Sequence, residues 1–536
     1  MISKPGKKKR EQLLRTFGQF KDETFNFEYI ERYFRKKDPC KAFQVLSDKT
    51  CNDLDFNELF MFIDRTHSKP GQQYLYNKLR TIPFSNDKVN LQEKIIDYLS
   101  LHTEERLSIQ NMLSGLNDQD AYYIPTLFQE EQLQPPRWFF IVKLLSFTSL
   151  LSLVLSVFNP VMLFVVFGTY LINFGVHYWN KRNIRPYLSS IPQLLRLNNV
   201  ARELIKDSQL GQLNPNLSQS ISIIDKVRNR MSFFKLEARL QGDMEAIVWG
   251  ILEFFKIMFL LEPLLLFGVL KEFDSKRKEI EDVFSFVGET DALISVASLR
   301  KGLSQYCIPT IHSQQKTMVM QEAYHPLIPD CVNNSIHVDQ KSVLLTGSNM
   351  SGKTSFIRTM GINAIVGQTI NTCFALQVSM PQIRVFSAIR ITDDLMNDKS
   401  YYFEEVLTVK DIINKSQEPA ANLFLLDEIF KGTNTVERIS AGKAVLSWLT
   451  QSNNIVFVST HDIELAELLD QEYELYHFSE KVNEKTVDFD YKLKTGKLKN
   501  RNAIRILAIN DYPQPIIEQA MEIAQKMDKN ILNNVF

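Results

Sequence analysis

The chain has 536 residues, and 62 Lys and Arg balance 62 Asp and Glu, so the net charge is zero. This excludes a polycationic nucleic-acid binder and an acidic disordered solubiliser; any nucleic-acid contact must come from a local basic face. Low Gly and Pro, 19 each, exclude fibrous and low-complexity classes. Five cysteines without a CxxC pair argue against a disulfide scaffold or zinc module and for a reducing compartment.

The length predicts about three or four domains. Residues 1–44 read as a basic tail, with Lys7, Lys8, Lys9 and Arg10, leading into a helix. No apolar run follows the basic start, so no signal peptide is read there. Residues 45–130 form a first helical lever segment. Leu54, Phe56, Leu59, Phe60 and Ile63 recur at three- and four-residue spacing, Pro70-Gly71 punctuates, and Leu75, Tyr76 and Leu79 resume the pattern.

Residues 137–180 change character. From Leu144 to Asn180 there is no Asp, Glu, Lys or Arg. Trp138–Phe158 and Val161–Trp179 are each long enough to cross a hydrocarbon core of about 30 Å. Asn159-Pro160 between them predicts a transmembrane helical hairpin. Arg137 before it and Lys181, Arg182 and Arg185 after it place both ends on the cytoplasmic side. Trp138, Tyr178 and Trp179 occupy aromatic-belt positions. The competing reading is a hairpin buried in a large helical core.

Residues 181–318 return to helical lever sequence. Within them Ala246–Leu270 is apolar but interrupted by Glu253, Lys256, Glu262 and Pro263. A central charge costs about 2.5–3.5 kcal/mol on insertion, so this stretch reads as a core or interfacial helix, with a second hairpin as the alternative. Residues 319–536 switch to α/β. Ser342–Thr346, Ala421–Leu426 and Asn454–Thr460 are strands, each followed by a helical stretch, which predicts a parallel sheet.

Chemistry concentrates in this last region. Gly347, Ser348, Asn349, Met350, Ser351, Gly352, Lys353 and Thr354 fit GxxxxGK[ST] between a strand and a helix. The glycines let backbone N–H groups close around phosphate oxygens at a helix N-terminus. Lys353 is expected to reach the β- and γ-phosphates and Thr354 to hold Mg²⁺. Asp427 and Glu428 end an apolar strand. Asp427 is expected to bind the metal and Glu428 to act as general base on water. His461 ends the next strand, where a γ-phosphate sensor would stand. A further acidic stretch holds Asp393, Asp394, Glu404 and Glu405, acids that could bind a metal or form a solvated surface; spacing alone favours the surface.

These motifs together resemble the ATPase domain of the MutS family of DNA mismatch repair proteins. The loop reads Thr346-Gly-Ser-Asn-Met-Ser-Gly-Lys-Thr354, with the distinctive Asn349-Met350 pair. The acidic strand reads Leu425-Leu-Asp-Glu-Ile-Phe-Lys-Gly-Thr433. Asp393-Asp394-Leu395, Ser400 and Glu405 resemble the family's loop before the acidic strand, and Thr460-His461 its switch. His325-Pro326-Leu327, Asn334 and Gln368 fit the same pattern. Residues 52–71 and 288–297 resemble the start and return of the helical lever. The resemblance implies ATP and Mg²⁺ as cofactors, a homodimer through the ATPase domain and its C-terminal helices, and Ser400 facing the partner's nucleotide. Tyr401, Tyr402 and Phe403 would then be dimer surface or simply core.

The resemblance also departs from the family. No room is seen before residue 45 for a mismatch-reading domain, no intercalating wedge is recognised, and no nuclease domain is expected after 536. The reading is therefore a multidomain, membrane-tethered MutS-like ATPase at the cytoplasmic membrane. It would be anchored through 138–179, with the ATPase in the cytoplasm and DNA, mismatched or branched, as partner. The alternatives are a membrane-bound ATP-driven switch that does not act on DNA and, less favoured, an ABC-transporter subunit. The last lacks an LSGGQ-like stretch before Asp427, and two spans cannot enclose a solute path.

Overall fold

A computed structural model of the chain describes residues 5–38, 42–84, 87–131, 134–227, 246–313, 316–348, 350–390, 401–482, 487–498, 507 and 512–534. The chain divides into two compact units. One comprises Met1–Cys40, Ile63–Lys78 and Ser85–Gly302; the other comprises Lys41–Phe62, Leu79–Phe84 and Leu303–Phe536. The first is helical and the second α/β.

In the helical unit, the two lever-like segments of the sequence lock onto each other. Asp291 is fully buried, and its carboxylate accepts from the backbone N–H of His67 at 2.9 Å and of Ser68 at 2.8 Å, and from the Ser68 hydroxyl at 2.5 Å. Gly71 permits this approach, because a Cβ there would lie 2.1 Å from Asp291 Oδ2. Arg300 forks onto Glu93 at 2.7 and 2.8 Å.

Helix α1, Phe139–Ser156, and helix α2, Met162–Leu204, form the predicted hairpin. The turn is closed by Asn159, whose Oδ1 accepts from Val161 N at 3.1 Å. The outcome is narrower than the sequence reading. Among the described residues only α1 is by itself long and apolar enough to cross a membrane; the apolar part of α2, Met162–Tyr178, is shorter. Moreover α2 does not stop near 179 but runs on to Leu204. The hairpin is inverted relative to a soluble helix pair. Ser149, Ser152, Thr169, Asn173 and His177 are buried, whereas Phe140, Phe147, Val154, Phe158, Phe164 and Phe167 are exposed.

The stretch 246–270 is a broken helix. Helix α3, Ala246–Met258, and helix α4, Leu261–Asp274, meet at Leu260, whose φ of +47° is left-handed. Pro263 has no N–H to give the carbonyl of Phe259 four residues earlier. The Ser146 hydroxyl donates to that carbonyl at 2.8 Å, and Asn173 Nδ2 donates to Met258 O at 2.7 Å. The polar side chains of α1 and α2 thus replace the hydrogen bonds that the break removes. Helix α5, Arg277–Gly302, completes the bundle.

The α/β unit is built on a six-stranded sheet. Its strands are β1 (Ser342–Thr346), β2 (Arg384–Ala388), β3 (Asn422–Asp427), β4 (Asn454–Thr460), β5 (Tyr473–His477) and β6 (Lys494–Thr495). Their order is β6-β5-β1-β4-β3-β2, all parallel except β6. β1, β3 and β4 are apolar runs because both faces are covered. A four-stranded sheet holds Thr310–His312, Gln377–Pro381, Thr317–Ala323 and Asn334–Asp339. Residues 42–62, of which 45–62 were expected in the first helical lever segment, belong to this unit and not to the bundle. Gln44 brackets Val385, donating to its carbonyl at 2.6 Å and accepting from its N–H at 2.7 Å. Gln368 is structural: it donates to Ile383 O and accepts from Ile383 N, both at 2.9 Å.

Candidate functional site

Parallel pairing sets the site. In register, Ser459 stands beside Asp427 and Thr460 beside Thr346. The C-terminal ends of three central strands therefore face one edge, where open α/β sheets place ligands. From β1 the chain turns through Gly347, with φ of +154°, Met350, +67°, and Gly352, +103°, into helix α6, Lys353–Thr369. A Cβ on Gly347 would lie 2.9 Å from both the Phe478 carbonyl and Ser351 Oγ, so this turn has room only for glycine.

The side chains predicted for the site converge here. Lys353 is 4% exposed and folds back over the loop, donating to the carbonyls of Gly347 at 2.8 Å and Ser348 at 2.9 Å. Burial lowers its ammonium to about 8 against the opposing pull of Asp427. The Thr354 hydroxyl donates to Asp427 Oδ2 at 2.8 Å, and the Ser459 hydroxyl donates to the other oxygen. Ser348 Oγ donates to Glu480 at 2.7 Å. Ser351 Oγ is buried and has no hydrogen-bond partner among the described residues. Glu428 has a left-handed φ of +50°, and its N–H is held by Ser459 O at 2.9 Å. Its carboxylate lies 2.6 Å from His461 Nε2 and is also paired with Lys431. Burial, then the charges of Lys353 and Lys431, hold the His461 imidazole below its ordinary range.

Asn349 and Ser400 lie outside the described residues, as do Asp393 and Asp394. Glu405 departs from the expected solvated surface. It is fully buried in helix α7, Tyr401–Ser416, and accepts from Phe430 N, fixing the turn after Glu428.

A cavity of about 450 Å³ opens beside the loop, lined among others by Cys331, Asn334, Ser351, Lys353, Phe478 and Tyr491. Asn334 anchors its far wall: its Nδ2 donates to Tyr491 O at 2.9 Å and its Oδ1 accepts from Leu493 N at 2.8 Å. Sequence reasoning picked out Asn334 but not Tyr491 or Phe478. Neither aromatic stands in a motif, and only the return of the chain past β5 brings them here.

A family model described as MutS domain V matches residues 343–528. DNA mismatch repair protein MutS of Petrotoga mobilis is 30% identical over 277 residues, which cover 49% of this chain and 33% of that protein. The protein of the same name from Aquifex pyrophilus is 26% identical over 272 residues, 48% of this chain and 31% of that one. The chain thus spans about a third of the length of these curated relatives. The matched residues are those that carry the strand-edge site, and over residues 343–528 the chain carries a MutS domain V.

Proposed function

We propose that the chain binds and hydrolyses ATP with Mg²⁺ at Gly347–Thr354, as a membrane-tethered, DNA-directed MutS-type ATPase. The observation that carries the reading is Thr354 Oγ1 meeting Asp427 Oδ2 at 2.8 Å, beside Glu428 and His461, at the edge of a parallel sheet. The residues fit the cofactor. A hydroxyl and a carboxylate already paired are the donors that Mg²⁺ would share, and the orphaned Ser351 hydroxyl and the buried Lys353 ammonium suit phosphate oxygens.

Bound Mg²⁺ would neutralise charge on the β- and γ-phosphate oxygens. Lys353 would exchange its two loop carbonyls for phosphate oxygens and stabilise charge developing on the transferred group. Glu428 would take a proton from the attacking water onto its carboxylate. His461, uncharged, would donate Nε2–H to Glu428 and hold it in place. The cavity between Asn334 and Phe478 would take the base, with Tyr491 at its rim. Ser400 of a second copy would complete the site, which makes the active form a dimer.

The exposed aromatic and aliphatic surface of α1 and of the first turns of α2 supports insertion in a bilayer. That same surface favours the second reading, an ATP-driven membrane switch that does not act on DNA. The deciding measurement is the ATPase rate of detergent-purified protein with homoduplex, mismatched and four-way-junction DNA. A change with one of them, weakening steeply with salt, supports DNA action. Hydrolysis indifferent to all three supports the switch, and no hydrolysis removes the ATPase reading.

A further inference from the structure

Two free cysteines stand opposite each other in the α/β unit, and neither lines the sheet-edge cavity. Cys307 lies between α5 and the strand Thr310–His312, and Cys373 lies just past the end of α6. They form an antiparallel bridge: Cys307 N donates to Cys373 O at 3.0 Å, and Cys373 N donates to Cys307 O at 2.9 Å. Residues that exchange both backbone hydrogen bonds have Cα atoms about 5.5 Å apart, within the range that disulfides span. Their side chains leave the ladder on the same face. The Cys373 thiol hydrogen-bonds the Cys307 sulfur, and that contact outweighs burial and holds the Cys307 thiol below its ordinary range.

The two sulfurs differ in their surroundings. Cys307 is only half-buried, between exposed Tyr306 and Ile308, whereas Cys373 is fully buried. Cys373 Sγ lies 3.5 Å from Asn363 O and fits against Gly367, where a Cβ would come within 2.7 Å of it. An accessible thiol of lowered pKa beside a buried second thiol is the arrangement of an attacking and a resolving cysteine. A peroxide supplies a balanced step. The Cys307 thiolate attacks one peroxide oxygen, the O–O bond breaks, and Cys307 becomes a sulfenic acid as one water leaves. The Cys373 sulfur then attacks the Cys307 sulfur, the S–O bond breaks, and a second water leaves with the Cys373 proton. Two thiols are oxidised and one peroxide is reduced to two waters. Thiol–disulfide exchange with a small dithiol reverses the bond, which suits a reducing compartment.

We propose that Cys307 and Cys373 are a reversible, peroxide-sensitive pair whose disulfide ties the segment entering the α/β unit to the end of α6. The covalent loop would enclose β1, the phosphate loop and the whole of α6. This pair does not depend on ATP, on DNA or on insertion of the hairpin in a bilayer. The test uses the full-length chain in detergent, reduced, freed of reductant and treated with stoichiometric hydrogen peroxide. Remaining thiols are then blocked with N-ethylmaleimide in denaturant and the peptides mapped without reduction. Wild-type protein is expected to lose two of its five thiols, to show one disulfide joining the Cys307 and Cys373 peptides, and to regain all five with dithiothreitol. Cys331, also half-buried but with its sulfur accepting from His325 N at 3.3 Å, is expected to stay open to the block. Cys373→Ala should halt at a Cys307 sulfenic acid that dimedone traps, and Cys307→Ser should leave the Cys373 thiol intact. A wild-type chain in which both cysteines remain blockable overturns the proposal whatever the variants do. A bond from Cys307 to Cys331 or to a second chain overturns it as well, because the pairing across the ladder then does not direct the chemistry.

Discussion

His461 Nε2 lies 2.6 Å from Glu428 Oε1, and the left-handed Glu428 backbone is pinned by Ser459 O. A non-glycine residue in that conformation costs free energy, of order 1–3 kcal/mol, and persists only where its surroundings enforce it. Here the strain points a carboxylate at the edge of the sheet, between a base-sized imidazole and Lys431. Removing the charge while keeping the shape tests its use. Glu428→Gln is expected to lower the ATPase kcat by about 10²–10⁴-fold, the usual worth of a general base, with ATP binding retained. Single-turnover hydrolysis beside equilibrium ATP binding reads the two separately.

Lys353 gives a pH dependence. Its ammonium titrates at about 8 rather than 10.5 because it is buried. The sign follows from which state holds the proton. A lysine lowered in the folded state binds its proton less well there than in the unfolded chain. Its burial therefore costs stability in full below about pH 8, and the cost fades as pH rises towards 10.5. Phosphate binding works the other way, since it needs the charged form. Affinity for a non-hydrolysable ATP analogue is expected to fall through pH 8, roughly tenfold per unit above it. Lys353→Arg should flatten that profile, because a guanidinium stays protonated. A fluorescence titration at pH 7 and pH 9 checks both.

The sheet-edge site was legible because its residues stand in order along the sequence and parallel pairing brings strand ends together by rule. The loop 347–354, the strand ending at Asp427 and the strand ending at Thr460 need no long-range information beyond that. Tyr491 and Phe478 were not legible, since a lone aromatic carries no spacing signal. Glu405 was misread as solvated because four nearby acids look alike in sequence, and only packing shows which one is inside. The broken helix at Leu260 was half legible. Pro263 and the charges marked a fault, but Ser146 and Asn173, which repair it, lie on other helices.

Asp53 shows why residues 42–62 go with the α/β unit. Its buried carboxylate accepts from Ser387 Oγ at 2.6 Å, Ile389 N at 3.1 Å and Arg390 N at 2.8 Å. Asp53→Ala would leave a hydroxyl and two N–H groups without their acceptor. The expected loss is about 2–4 kcal/mol, read as a lower urea midpoint of the α/β unit by tryptophan or circular-dichroism unfolding.

Gly71 makes the matching prediction for the helical unit. A methyl group there would overlap the Asp291 carboxylate and displace it from the N–H groups of His67 and Ser68. Overpacking and lost hydrogen bonds add, so Gly71→Ala is expected to cost about 3 kcal/mol or more, although alanine favours a helix elsewhere. Asp291→Asn should cost less, because it keeps the shape and one acceptor. Thermal melts of the two variants give the order.

Phe147 separates a membrane hairpin from an exposed soluble one. It lies at the middle of α1 and is 62% exposed. Exposed to water, its replacement by arginine would change stability by no more than about 0.5 kcal/mol. In the middle of a bilayer the same change costs about 2.5–3.5 kcal/mol. Phe147→Arg is therefore expected to shift protein out of floating vesicles, or to deplete it from the membrane fraction, with little effect on the helix content of what remains. Phe140→Arg, one end of the helix nearer the interface, should do so less, since arginine there reaches water along its own stem. Equal flotation of wild type and both variants would leave the apolar face of α1 to something other than lipid.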